Sequence, residues 1–260
     1  MKLDKFYDQS FYDSQKYGSF RSAELCLGHL WTFFTPASIV DMGCGAGGWL
    51  KAAGDLGANQ LVGFDGYWNS QANMMDQKIK FTAIDLNESL AASERFDLAI
   101  SLEVAEHLKP ESSEGFVKSL TLLSDVVLFS AAYIGQGGTN HINERLHSDW
   151  ATFFNKFDYA VFDLFRPVFW GNPEVDTCYA QNAFLYVKRD HSLYAKLTGN
   201  GVMELSNLAF LNCVHPVLYD VARKRARTFQ EKISRPWPEL LSSVKKEFRR
   251  AMSRFGGKSS

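Results

Sequence analysis

At 260 residues the chain is long enough to bury one large α/β core and still carry an extension. Hydrophobic residues make up 46% and charged residues 22%, a balance that suits a soluble globular protein and argues against disorder. The net charge of −1 conceals a split: residues 1–189 hold 15 Lys and Arg against 23 Asp and Glu, whereas residues 190–260 hold 13 against 6. Two parts with different neighbours are therefore expected, an acidic domain over 1–189 and a basic helical extension over 190–260.

The opening MKLDKFYDQSFYDSQ has no apolar core and carries acids early, which is unlike a signal peptide. No apolar run approaches the ~18 residues of a membrane span. Cys26, Cys44, Cys178 and Cys213 are scattered with no C-x-x-C pair, which fits reduced thiols and a cytoplasmic protein.

In chain order, residues 19–33 have helical apolar spacing and stop near Pro36. Short apolar runs follow at Ser38–Met42, Leu61–Phe64, Lys80–Ile84, Asp97–Leu102 and Asp125–Ser130. Between them lie expected helices at Gly47–Leu56, around Leu90–Ser93 and at Ser113–Leu123. Tyr159–Phe165 and Ala183–Lys188 read as a closing strand pair, joined by a long loop, RPVFWGNPEVDTCYAQN. Strands alternating with helices predict a doubly wound, mostly parallel seven-stranded α/β sheet with helices on both faces and a C-terminal helical extension. A ligand is expected beyond the carboxyl ends of its strands.

The first strand runs into Asp41-Met42-Gly43-Cys44-Gly45-Ala46-Gly47-Gly48 and then a helix. Glycines allow positive φ and close ligand approach. Gly43, Gly45 and Gly47 give G-x-G-x-G, while Gly43, Gly45 and Gly48 also fit the dinucleotide pattern G-x-G-x-x-G. Asp41, two residues before the first glycine, suits a cationic amino-acid ligand better than a pyrophosphate. Asp65 and Gly66 end the second strand, where the carboxylate can accept from ribose hydroxyls. Asp85 and Leu86 end the third, near where an adenine would lie. The fourth ends in Glu103-Val104-Ala105-Glu106-His107-Leu108.

This order, D-x-G-x-G-x-G, then G-x-D, then I-D-L, then FDLAISLEVAEHL, resembles the motif set of Rossmann-like (class I) S-adenosylmethionine methyltransferases over roughly residues 38–130. The resemblance implies that Gly43, Gly45 and Gly47 pass close to the methionine part of S-adenosylmethionine. It further implies that Asp65 holds the ribose and that Asp85 with Leu86 frames the adenine.

Transfer to an alcohol needs a positioned acceptor and a route for its proton. The E-x-x-E-H spacing followed by His141 is similar to small-RNA terminal-ribose methyltransferases, and E-x-x-E-H also occurs in ubiquinone-pathway O-methyltransferases. By that similarity Glu103, Glu106, His107 and His141 would bind Mg2+ or another divalent ion. The open alternative is metal-free, with His107 as a direct base and Glu106 and His141 beside it. Trp170, Asn172, Tyr179, Gln181 and Asn182 could serve a sugar's faces and hydroxyls. Tyr7, Phe11, Tyr12, Tyr17 and Arg21 could close over the cofactor, or simply anchor the segment. His29 and His215 sit in apolar sequence and are expected to be structural.

From Trp237 to Phe255, apolar residues recur at helical spacing between Lys245, Lys246, Arg249, Arg250 and Arg254. Such a basic amphipathic helix docks on its own domain or makes a peripheral contact at the inner membrane surface. The reading is an O-methyltransferase acting on a small molecule or glycan, with an RNA ribose methyltransferase and an NAD-linked oxidoreductase as alternatives. GQGGTNHINE and the distal YAQN resemble methyltransferases of polysaccharide contexts. The acidic catalytic region disfavours a nucleic-acid partner.

Overall fold

A computed structural model describes residues 9–90 and 94–233. Seven strands form one sheet: β1 (Ser38–Met42), β2 (Gln60–Asp65), β3 (Lys80–Ala83), β4 (Leu98–Leu102), β5 (Val126–Ser130), β6 (Tyr159–Phe162) and β7 (Phe184–Lys188). Their order is β3-β2-β1-β4-β5-β7-β6. The pairs from β3 to β5 are all parallel, and β7 runs antiparallel to both β5 and β6. The order turns back between β1 and β4, which opens a crevice at their carboxyl ends.

Side chains alternate between two cores, as a sheet covered on both faces requires. Ile39, Leu98, Ile100, Val126, Leu128, Leu185 and Val187 pack on one face, together with Ala23, Leu27 and Leu30 of helix α1 (Gln9–Trp31) and Leu50 and Ala53 of α2 (Gly48–Asp55). Val40, Met42, Ala99, Val127, Phe129, Phe184 and Tyr186 pack on the other. There they meet Phe116, Val117 and Leu120 of α3 (Ser113–Leu123) and Trp150 and Phe154 of α4 (His147–Asn155). Phe154 stacks on Tyr186 with ring centroids 3.9 Å apart.

The expected loop between the last two strands carries two short helices, α5 (Arg166–Phe169) and α6 (Thr177–Asn182). Of the helix expected around Leu90–Ser93, Leu90 is not helical and 91–93 lie outside the described residues. Helix α7 (Ser192–Gly199) buries Leu193 and Leu197 in the first core, and Glu204 bridges Phe162 of β6. Residues 190–215 therefore pack with the sheet, and the chain divides after His215 rather than at Arg189. Apolar contacts outweigh the local charge that marked the earlier boundary. The second unit, 216–260, begins with α8 (Pro216–Ile233). The basic helix expected over Trp237–Phe255 lies outside the described residues, as does Tyr7.

Candidate active site

The β1–α2 turn is held by the neighbouring strand: the N–H groups of Gly43 and Cys44 both donate to the Phe64 carbonyl, at 2.8 and 3.0 Å. Gly43, Gly45 and Gly47 have φ of 93°, 54° and 77°, where side chains are disfavoured. Their surroundings differ. A Cβ on Gly43 would lie 2.3 Å from Val104 Cγ2, and one on Gly47 would lie 2.7 Å from Ile79 Cδ1. One on Gly45 would meet nothing within 4 Å. Gly43 and Gly47 thus serve packing, while Gly45 presents bare backbone to open space.

That space is a cleft lined by Asp41, Gly43, Gly45, Glu103 and Val104, with Ser19, Trp49, Met75 and Tyr179 on its far side. Trp49 and Tyr179 meet edge to face at 5.2 Å. Asp41 is buried, and burial, then the nearby Asp65, pushes its carboxyl well above the usual carboxylate range. Such a group gains most from a cationic partner, which offsets its desolvation.

Asp65 is buried at the tip of β2. Its Oδ2 accepts from Gly45 N at 2.8 Å and Asn69 Nδ2 at 3.2 Å, and its Oδ1 accepts from Gly66 N at 2.7 Å. One carboxylate therefore ties the glycine turn to β2, and Oδ1 keeps acceptor capacity for a ligand hydroxyl. Burial raises its pKa, and these three hydrogen bonds oppose the rise. Asn69 also donates to the Gly45 carbonyl at 2.6 Å, a contact that the sequence reading missed. Gly66 lies under the Trp68 indole, where a Cβ would be 2.2 Å from the ring.

Asp65, Gly66, Asp85 and Leu86 do not themselves line the cleft, and Asp65 reaches it through its bond to Gly45. Asp85 is exposed and accepts from Asn87 N and Nδ2, which lower its pKa. Leu86 packs its side chain in the second core.

Beyond β4, a ligand atom from each of Glu106, His107 and His141 lies within 4.8 Å of the other two. Glu106 is fully buried, and its carboxylate is met by no side-chain donor, only by the backbone N–H groups of Glu106 and Ala132, which oppose the rise in its pKa. Burial, then Glu103, pushes its pKa well above the usual range. His141 Nδ1 donates to Glu144 Oε1 at 2.9 Å, and His107 Nδ1 faces the Asn140 carbonyl at 3.3 Å. Both imidazoles therefore keep Nε2 available, the arrangement in which histidine serves as a metal ligand. Burial, then His141, pulls His107 down to about 4. Its ring is thus neutral at pH 7. Glu144 also accepts from Gly135 N and Gly137 N, and the His141 ring fills the place of a Cβ on Gly138.

Glu103 stands apart from this trio, contrary to the expected quartet. Its Oε1 accepts from Ser130 Oγ at 2.8 Å and Asn182 Nδ2 at 3.0 Å, and its Oε2 accepts from Gln136 Nε2 at 3.3 Å. Its φ of 55° is unusual for a non-glycine residue, and turns the chain sharply at the end of β4. Asn182 Oδ1 in turn faces His147 Nε2 at 3.0 Å, while His147 Nδ1 faces the Leu211 carbonyl at 3.0 Å. No local signal marked His147 or the Asn182–Glu103 contact. His29 packs edge-on among Phe33, Phe165 and Phe169, and His215 contacts Trp170. Gln181 accepts from His215 N, Asn172 from Glu174 N, and Arg21 pairs with Glu174. These groups from the distal loop are thus engaged within the protein.

Residues 17–129 match a family described as Methyltransferase domain. No curated protein matches the chain in sequence. Among solved structures, the methyltransferase domain of bacterial CtHen1-C is similar at 17% identity, covering 64% of this chain and 97% of that one with a TM-score of 0.51. The small RNA methyltransferase HEN1 is similar at 17% identity over 74% of this chain and 27% of that one, with a TM-score of 0.51. A chain of the complex containing the Haloferax volcanii Trm112 methyltransferase activator is similar at 15% identity over 72% and 97%, with a TM-score of 0.52. At these identities the structural likeness concerns the fold.

The strand order and the glycine turn are those of the Rossmann-like methyltransferase fold, and residues 17–129 match a methyltransferase domain. The oxidoreductase alternative falls away with the G-x-G-x-x-G reading, since the methyltransferase match spans the same turn.

Proposed function

We propose that the chain methylates a hydroxyl oxygen of a hydroxyl-rich small molecule or glycan, with a divalent ion held by Glu106, His107 and His141. The observation that carries this reading is Glu106, a buried carboxylate with no side-chain donor, beside two imidazoles oriented through Nδ1. A lone buried carboxylate is costly, and a divalent cation with two neutral imidazoles would satisfy it. When bound, such an ion supplies Lewis acidity that lowers a hydroxyl's pKa. Bound S-adenosylmethionine supplies an electrophilic methyl group on a sulfonium.

The chain's own residues do the rest. Asp41 receives the cofactor's ammonium, Asp65 its ribose, and Gly45 leaves room for the chain of atoms between them. Glu103, lining the cleft and fixed by Ser130 and Asn182, orients groups between the cofactor and the trio. His107, neutral at pH 7, can take the acceptor's proton if no ion is used.

A second reading, from the E-x-x-E-H resemblance, is methylation of a terminal ribose in RNA; HEN1, among the similar structures, is a small RNA methyltransferase. The ribose diol would present the same two oxygens. The first unit counts against it, with 16 Lys and Arg against 25 Asp and Glu over residues 1–215, since a long phosphate track needs a basic surface.

The test is Mn2+ binding by calorimetry, followed by transfer from S-adenosylmethionine to a panel of sugar diols with and without chelator. Binding of one ion, its loss in His141→Ala, and turnover abolished by chelator but restored by Mg2+ or Mn2+ are expected. Full turnover after exhaustive chelation would remove the ion and leave His107 as the base.

A further inference from the structure

Helix α8 is built unlike the helices that pack on the sheet. Leu218, Ala222, Ala226 and Phe229 recur at spacings of four, four and three, which places them on one stripe. Leu218 and Ala222 are half-buried, but Phe229 is 64% exposed and Tyr219, at the stripe's edge, 59% exposed, so the stripe is open at its C-terminal end. Arg223 and Arg225 flank this stripe on opposite sides, and Arg227 and Lys224 lie further round the helix. Along the helix, Arg223 pairs with Asp220 at 3.2 Å and Arg227 with Glu231 at 3.0 Å. All four side chains are well exposed, so these pairs hold weakly and can exchange for other anions. The excess of positive charge continues through the second unit, where residues 216–260 hold twelve Lys and Arg against four Asp and Glu.

We propose that α8 is a binding surface for an anionic lipid bilayer, lying in the headgroup plane with Phe229 inserted and its arginines on lipid phosphates. The two features together select this partner. An exposed apolar stripe is explained by burial among acyl chains, and flanking arginines by phosphate headgroups. A nucleic acid would use the charge and leave the stripe in water. A second copy of the helix would use the stripe and bring like charges together. Among the described residues no helix is long and apolar enough to cross a membrane, and an interfacial helix needs neither property. The proposal is independent of the methyl acceptor, and would bring the enzyme to acceptors held at a membrane face.

The test is co-sedimentation of the full chain with vesicles of phosphatidylglycerol mixed into phosphatidylcholine, against phosphatidylcholine alone. Binding is expected only to the anionic vesicles and is expected to weaken as salt rises. Replacing Arg223 and Arg227 with Ala should weaken it about 25-fold, near fivefold for each charge. Phe229→Asp should weaken it more than tenfold with all the arginines retained. An unchanged S-adenosylhomocysteine-induced melting shift in each variant would show that the catalytic unit remains folded. No association with anionic vesicles, or association indifferent to Phe229→Asp, overturns the proposal. So does tight binding of single-stranded RNA that depends on the arginines but not on Phe229. So does an oligomer, in the absence of lipid, that Phe229→Asp converts to monomer.

Discussion

Single residues here separate ligand roles from structural ones by what their atoms already hold. Asp65 shares its carboxylate between Gly45, Gly66 and Asn69, so its loss loosens the glycine turn and, on the proposed function, also removes the ribose acceptor. Asp65→Ala should weaken S-adenosylhomocysteine binding by roughly 10- to 150-fold, equivalent to about 1.5–3 kcal/mol. Asp76, whose Oδ1 merely accepts from Lys78 N in a turn, should change affinity by less than about twofold when replaced with Ala. Equal affinities of the two variants in calorimetry would take Asp65 out of the site. His147 makes the complementary case for structure. Burial pulls it down to about 4 against an ordinary value of 6.5, so the folded state favours the neutral ring. Below pH 6.5 the unfolded chain binds a proton that the folded protein refuses, and stability drains away as pH falls towards 4. Relative to His147→Gln, the wild type should lose up to about 3 kcal/mol across that window. The difference between the two proteins is the quantity to measure by denaturation at each pH, because Asp41 and Glu106, with raised pKa values, act in the opposite sense. Parallel pH profiles for the two would mean that His147 is not buried neutral.

At the scale of elements, the β1–α2 turn carries a contrast that composition alone hides. Gly43 and Gly45 are equivalent in the motif, yet one faces Val104 and the other open space. Gly43→Ala should destabilise the protein by roughly 2–4 kcal/mol, combining a clash with an unfavourable φ. Gly45→Ala should cost only about 1–2 kcal/mol, the left-handed penalty, while reducing S-adenosylhomocysteine affinity more than tenfold. Denaturant unfolding and calorimetry on both variants check this, and undiminished affinity in Gly45→Ala would mean that the ligand does not pass there. The strands around this turn were legible because a buried strand needs a short apolar run, which Ile39, Val40 and Met42 supply in Ser38–Met42. Helix α3 was legible from its apolar spacing. Helices α4, α5 and α6 were not: they are short, rich in aromatic or amide side chains, and α4 and α5 begin after Leu146 and Phe165, which give no capping signal. The site divides the same way. Asp41, Asp65 and the glycines stand in local register and could be read. That Asn182 reaches Glu103 across 79 positions, while Leu86 turns into the core, depends on folding the chain and left no mark in spacing.

At the scale of the whole molecule, two compact units divide at His215–Pro216, and the cofactor cleft belongs wholly to the first. A ligand that binds only the native form stabilises it by about 2.7 kcal/mol at a hundredfold excess over its dissociation constant. For a unit of roughly 200 residues, that corresponds to about 5–11 °C in melting temperature. S-adenosylhomocysteine should produce a shift of that size and NAD none. Asp41 offers a desolvated carboxylate to an ammonium, whereas a pyrophosphate brought to the same turn would face a like charge. The shift should survive chelator, because Asp41, Gly45 and Asp65 are distinct from Glu106, His107 and His141, the residues proposed to hold the ion. A melting shift with S-adenosylhomocysteine that vanished with the metal would mean that the two sites are one. A shift with NAD in place of S-adenosylhomocysteine would contradict the cofactor assignment itself.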